Sequence, residues 1–149
     1  LQDWVEHFPY QAGLLMWYYD ESFADNNVGD HCLAGRCGGL FLPVDAHPDL
    51  LLRPDDGTMW RPRIQAYDST FGLSPTAVVT LHANSIAQTS GNLAPNPMFD
   101  DTQSYWVPPN PTIGNLGWSS VPLPGVGVTV RVTSISAHGE FMQVIVAPK

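Results

Sequence analysis

The sequence predicts an all-β fold for residues 1–149, a single domain built as an antiparallel β-sandwich, jelly-roll-like, with long Pro/Gly-rich loops. Three observations lead there. The 149 residues include 14 Pro and 13 Gly, a density that suits short elements joined by turns. Val126, Val128, Val130 and Val132 alternate with Gly127, Thr129, Arg131 and Thr133, the period of two expected of a strand with one polar face. Beyond the first dozen residues no segment carries a helical period.

In chain order, LQDWVEHFPYQ has no clear period, and Pro9 would end any short helix carrying Trp4 and Phe8. Gly13 to Tyr19 is almost continuously apolar and predicts a strand buried on both faces. Leu40 to Val44 follows as a second strand; Pro43 has no N–H for a ladder and assigns it to an edge. Leu50 to Arg53, a turn at Asp56-Gly57, and Met59 to Arg63 read as a hairpin. Ala77 to His82 is a β-branched strand. Ala83 to Thr102 is a long loop around a short strand at Met98-Phe99. Ser104 to Val107 is a brief aromatic strand stopped by Pro108-Pro109, and Trp118 anchors the loop that follows. The alternating valines and Phe141 to Val146 pair across a turn at Ala137-His138-Gly139. The whole comes to roughly eight to ten short strands.

The chemistry concentrates between the first two strands. Asp20, Asp25, Asn27 and Asp30 stand within eleven residues, in a loop that also holds Gly29. Calcium takes six to eight oxygen ligands from carboxylates, amides and carbonyls, so these four are candidate calcium ligands. The spacing does not fit an EF-hand, because no glutamate closes the loop. The same side chains would equally make Asx-turns that cap the loop's own amides. Just beyond, Cys32 and Cys37 are placed to close a small disulfide ring, which would imply an oxidising compartment; the alternative is two free thiols. His31, Cys32, Cys37 and His47 lack the tight CxxC or HxxxH spacing of zinc sites, so no zinc site is expected within this chain.

Other functions find little support. The formal net charge is −8 and the only lysine is Lys149, so there is no basic stripe for nucleic acid or anionic membranes. No apolar run reaches the ~20 residues of a membrane span. Neither HExxH nor a GxSxG elbow occurs, so no catalytic residue is assigned. Trp4, Trp17, Tyr18, Tyr19, Trp60, Tyr67, Trp106 and Trp118 would suit a sugar-stacking platform if exposed. Most lie in apolar runs, where core packing is the simpler expectation. Leu1, with no initiating methionine, reads as a cut end.

Three longer motifs go further: YQAGLLMWYYDESFADNNVGDH, GLFLPVDAHPDLLLRPDDG and RIQAYDSTFGL. The matching positions are Gly13-Leu14-Leu15, Trp17, Asp20, Asp25-Asn26-Asn27, His31, Leu42 to Pro48, Arg63, Gln65 and Tyr67 to Phe71. Together they resemble the region that follows the catalytic domain in secreted metallopeptidases of the immune inhibitor A family (M6). That family's zinc-binding motif lies upstream and is absent from these residues. The resemblance therefore implies a secreted, extracellular, non-catalytic domain whose partner is the catalytic domain of the same precursor. It carries over no catalytic residue. The alternative reading is a carbohydrate- or surface-binding β-sandwich module.

Overall fold

A computed structural model describes residues 11–32, 37–60, 66–83 and 86–149. The opening segment with Trp4 and Phe8, the end of the expected hairpin arm at residues 61–63, and the motif residues Arg63 and Gln65 lie outside the described residues. Seven strands are found among those described: β1 (Trp17–Tyr19), β2 (Phe41–Pro43), β3 (Thr80–Ala83), β4 (Ile86–Thr89), β5 (Met98–Asp100), β6 (Val128–Ile135) and β7 (Met142–Pro148). They form three antiparallel sheets, ordered β1-β2, β3-β4 and β5-β6-β7. The only helical element among them is one 3₁₀ turn, Pro111–Ile113, capped by the Asn110 side chain.

The valine alternation becomes β6, paired with β7 through Val130↔Val146 and Val132↔Val144, with a register shift between Val132 and Ser134. Val126 fits the alternation yet stays outside the strand, and the backbone explains why. Gly125 and Gly127 take φ of 67° and 86°, and Asp101 accepts the amide protons of Val126, Gly127 and Val128 at 2.8–2.9 Å. One carboxylate thus holds the turn that feeds β6. The Asp56-Gly57 turn also forms, and among the described residues its arms meet at an isolated bridge, Leu52↔Met59.

Phe71, fully buried, is the centre of the core. Phe99 and Tyr105 meet it edge-on at 5.7 and 5.3 Å, the arrangement that aromatic quadrupoles favour. Val28, Cys37, Leu42, Val44, Ala46, Val121 and Val130 complete the cluster, so loops contribute as much as strands. Ser104 to Val107 is not a strand. Tyr105 enters the core from a loop and its hydroxyl accepts the Asp100 amide at 2.7 Å, a side-chain substitute for a ladder bond.

Gly13 to Tyr19 is corrected by the structure. Only Trp17–Tyr19 is strand, and burial alternates instead of covering both faces. Gly13 passes so close to Thr70 that a Cβ there would lie 2.7 Å from the Thr70 Cβ, and Leu14 exchanges two main-chain bonds with Phe71 at 2.8 and 2.9 Å. In the β1–β2 pair, Tyr18 and Leu42 turn to the core while Trp17, Tyr19 and Phe41 face solvent. The apolar run does not make two buried faces: its outer members are aromatics on an open face.

Candidate functional site

Three groups of side chains surround β1 and β2. The first lies between the two strands, in residues 20–32 and 37–40. It leaves and returns through Asp20 N–H to Leu40 O at 3.0 Å and Leu40 N–H to Asp25 O at 2.9 Å. Asp20 accepts from Ser22 Oγ at 2.6 Å, Ser22 N–H at 3.0 Å and the Tyr18 hydroxyl at 2.9 Å. The Ser22 hydroxyl, with these others, holds its carboxyl below the usual carboxylate range. Asp25 accepts the Asn27 amide at 2.7 Å and faces His31 Nε2 at 3.5 Å. The Asn27 side-chain amide donates to Asp30. Asn26 Oδ1 takes the Phe41 amide at 2.7 Å.

Asp25, Asn27 and Asp30 therefore share one turn, while Asp20 is engaged at the strand end by Tyr18 and Ser22. Asx-turn capping, one of the two expectations for this loop, describes its own bonds. Among the described residues no three His, Cys, Asp or Glu side chains are gathered as a metal-holding group. Cys32 and Cys37 form the expected disulfide. It is fixed to the core by Ser120, which receives the Cys37 amide at 2.7 Å and donates to the Cys37 carbonyl at 2.6 Å. At Gly38 a Cβ would fall 2.3 Å from Phe23 Cζ, so any side chain there would have to displace the Phe23 ring.

The second group was not singled out from sequence. Asp45, His47, Tyr67, Asp68 and Ser69 are all buried. The two motifs that carry them, LPVDAHP and YDSTF, meet through Ala46 N–H to Ser69 O at 3.2 Å. The ring of His47 contacts Asp68 O through Nδ1 at 2.6 Å and Ala94 O through Nε2 at 3.2 Å, and its amide donates to Asp45 Oδ1 at 3.0 Å. Asp68 is 3% exposed and its Oδ1 has no hydrogen-bond partner among the described residues. Burial, then the charge of Asp45, pushes its carboxyl up to about 8. Burial and the Asp68 charge push the Tyr67 phenol upward as well. The available signal was carboxylates set inside otherwise apolar runs.

The third group is the outward aromatic face. Trp17 and Phe41 stack with centroids 4.5 Å apart and planes 4° from parallel, and Tyr19, 61% exposed, stands cross-strand from Phe41. Core packing was expected for these rings, and for Trp17 and Tyr19 it does not hold. Trp60 and Tyr67 are buried and Trp118 packs against the core cluster.

A family model described as immune inhibitor A-like metallopeptidase, VEG domain, matches residues 1–144. Pre-pro-metalloprotease PrtV of Vibrio cholerae serotype O1 is 38% identical over 108 residues, which are 70% of this chain and 11% of that protein. Immune inhibitor A of Bacillus thuringiensis subsp. alesti is 29% identical over 127 residues, 83% of this chain and 17% of the relative. The chain thus spans a small part of the curated relatives it matches.

Proposed function

Because the chain belongs to the VEG-domain family of immune inhibitor A-like metallopeptidases, we propose that it is a non-catalytic β-domain in the C-terminal part of a secreted M6-type zinc metallopeptidase. There it packs on the catalytic domain of the same precursor, stabilising it or helping to present substrate. One observation carries this reading. A chain with its own core around Phe71 leaves large apolar side chains open at Trp17, Tyr19 and Phe41 and along β7, and it corresponds to 11% and 17% of two metallopeptidase-family relatives. Exposed apolar faces on a small domain suit an interface. The disulfide suits an extracellular setting. No helix among the described residues is long and apolar enough to cross a membrane.

Calcium in the loop from Asp20 to Asp30 belongs to the same proposal. Its ligands would come from Asp20, Asp25, Asn27 and Asp30. A cation there would relieve the mutual repulsion of the carboxylates. Casein incubated with the chain, zinc and calcium supplied, should stay at background, and excess calcium should raise the melting temperature over a chelator-stripped sample. Removing the domain from the full-length peptidase should shorten the enzyme's half-life on heating. Turnover that survives repurification and vanishes when a single Ser, Cys or His is replaced would overturn the non-catalytic reading. An unchanged melting temperature would remove calcium from it.

A second reading is favoured by one feature, the exposed Trp17–Phe41 stack beside Tyr19. Rings on one face of a β-domain suit a carbohydrate- or surface-binding module. Retention on insoluble polysaccharide that Trp17→Ala abolishes would move this reading ahead of the first.

A further inference from the structure

β7 forms the outer edge of its sheet, and its register fixes which main-chain groups remain unused. Lys149 N–H donates to Gly127 O at 2.8 Å and Ser136 N–H to Phe141 O at 2.9 Å. With Arg131↔Ile145 and Ser134↔Gln143 as partners, antiparallel alternation directs Ile145 and Ala147 toward β6. Met142, Val144 and Val146 therefore turn their N–H and C=O groups outward. Among the described residues, nothing bonds to them.

The side chains are equally uncovered. Val144 and Val146 lie opposite Val132 and Val130, which are buried. The inner face of the sheet thus runs past the core into solvent, where Val146 is 66% exposed; Ile145, on the other face, is 57% exposed. Folded domains usually guard such an edge with charge, proline, a bulge or brevity. β7 is seven residues long and carries Pro148 only at its end. Lys149 is turned away, its Nζ 2.6 Å from Asp100 Oδ2. The edge of β2 is treated differently: its outward donors are Phe41 N–H, capped by Asn26, and Pro43, which has none.

We propose that β7 is completed by a fourth strand, an extended segment of the same polypeptide lying outside residues 1–149. This rests on reading the chain as one domain of a longer peptidase precursor. It adds the mode of docking, main-chain pairing along Met142–Val146. The occupant is an uncharged segment with small apolar side chains at alternate positions, matching Val144 and Val146. The size of the relatives argues for it, since the matched region is 11% of one and 17% of the other. A second copy of the chain would bring together two net charges of −8, whereas a tethered segment acts at an effective concentration of about millimolar.

Hydrogen exchange of individual amides, read by mass spectrometry with residue-level fragmentation, tests it on the 149-residue chain and on the full-length protein. In the chain, Ile145 and Ala147 should be protected while Val144 and Val146 exchange freely. In the full-length protein Val144 and Val146 should slow by at least ~100-fold, and V144K/V146K should reverse this. Free exchange in both forms overturns the proposal. So does protection in the isolated chain that rises with concentration as a dimer forms, which would make a second copy the occupant. Removing residues 1–149 from the full-length enzyme is the separate control. If removal shortens its half-life on heating while the β7 amides stay free, the accessory reading stands and strand addition falls. If removal changes nothing, the accessory reading falls by itself.

Discussion

β2 and β7 are both apolar edge strands, and the molecule finishes only one of them. β2 is three residues long, its core-facing Leu42 is buried, Pro43 offers no donor, and Asn26 takes the Phe41 amide. β7 is seven residues long, with valines on the inner side and donors at Met142, Val144 and Val146 that find no partner among the described residues. The loop of Asp, Asn and Cys residues from 20 to 40 is what closes β2. An edge closed from inside the domain serves its own stability, and an edge left open to this extent serves a partner. The aromatic face of β1 and β2 qualifies this contrast: there the side chains of a finished edge remain open while its donors do not.

The largest expected effect concerns the interior behind β2, where Asp45 and Asp68 are buried together. The Asp68 carboxyl stands at about 8 in the folded chain, against 3.8 when unperturbed. The fold therefore favours its neutral form. This contribution is fully present below about pH 4 and is lost as the pH rises through about 8. Asp68→Asn never ionises. It should be more stable than the parent at pH 9 by on the order of 3 kcal/mol, with the difference vanishing toward pH 4. Urea denaturation at a series of pH values measures this, and parallel profiles for the two proteins would show that the burial of Asp68 does not govern its titration.

Next in size is the ring of the disulfide, which anchors the loop that closes β2. The bond joins residues five apart, and closing so short a loop restrains the unfolded chain by about 2 kcal/mol. C32S/C37S should lose that amount in denaturation. Exchange at Phe41 should speed up while Ile145 and Ala147 of β7 keep their relative protection. Alkylation of the unreduced protein should find no free thiol. A variant as stable as the parent would mean that Ser120 and the core hold the loop without the bond.

How much of this was legible in the sequence depended on periodicity and spacing. The β6–β7 hairpin was, because valines in alternation mark one face of a strand, although Val126 falls outside it. The Cys32–Cys37 ring was, because its spacing is local. The outward faces of Trp17 and Tyr19 were not, since an apolar run carries no mark of which members are exposed. β4 was also missed, as Ile86–Thr89 holds too few apolar residues to announce a strand. In the candidate site, the turn shared by Asp25, Asn27 and Asp30 follows from their closeness in the chain. The engagement of Asp20 by Tyr18 and Ser22 is just as local, each partner two residues away, whereas the meeting of Asp45 with Asp68 depends on how distant segments pack.

The smallest effect tests the contrast most directly. Asn26 Oδ1 accepts from Phe41 N–H at 2.7 Å, and the residue is exposed enough for water to replace that bond. Asn26→Ala should therefore cost only about 1 kcal/mol. Its other consequence is local: the Phe41 amide should exchange at least ~10-fold faster, while Ile145 and Ala147 do not change. Opening this donor alone should not make the edge adhesive, because Pro43 still lacks the neighbouring one two residues on. Adding Pro43→Val supplies it and gives β2 the same spacing of donors that Val144 and Val146 present. N26A/P43V should then associate in a concentration-dependent way under conditions where N26A does not, as followed by light scattering. If N26A leaves Phe41 exchange unaltered and the double variant stays monomeric, the side-chain cap is incidental and the brevity of β2 is what keeps its edge closed.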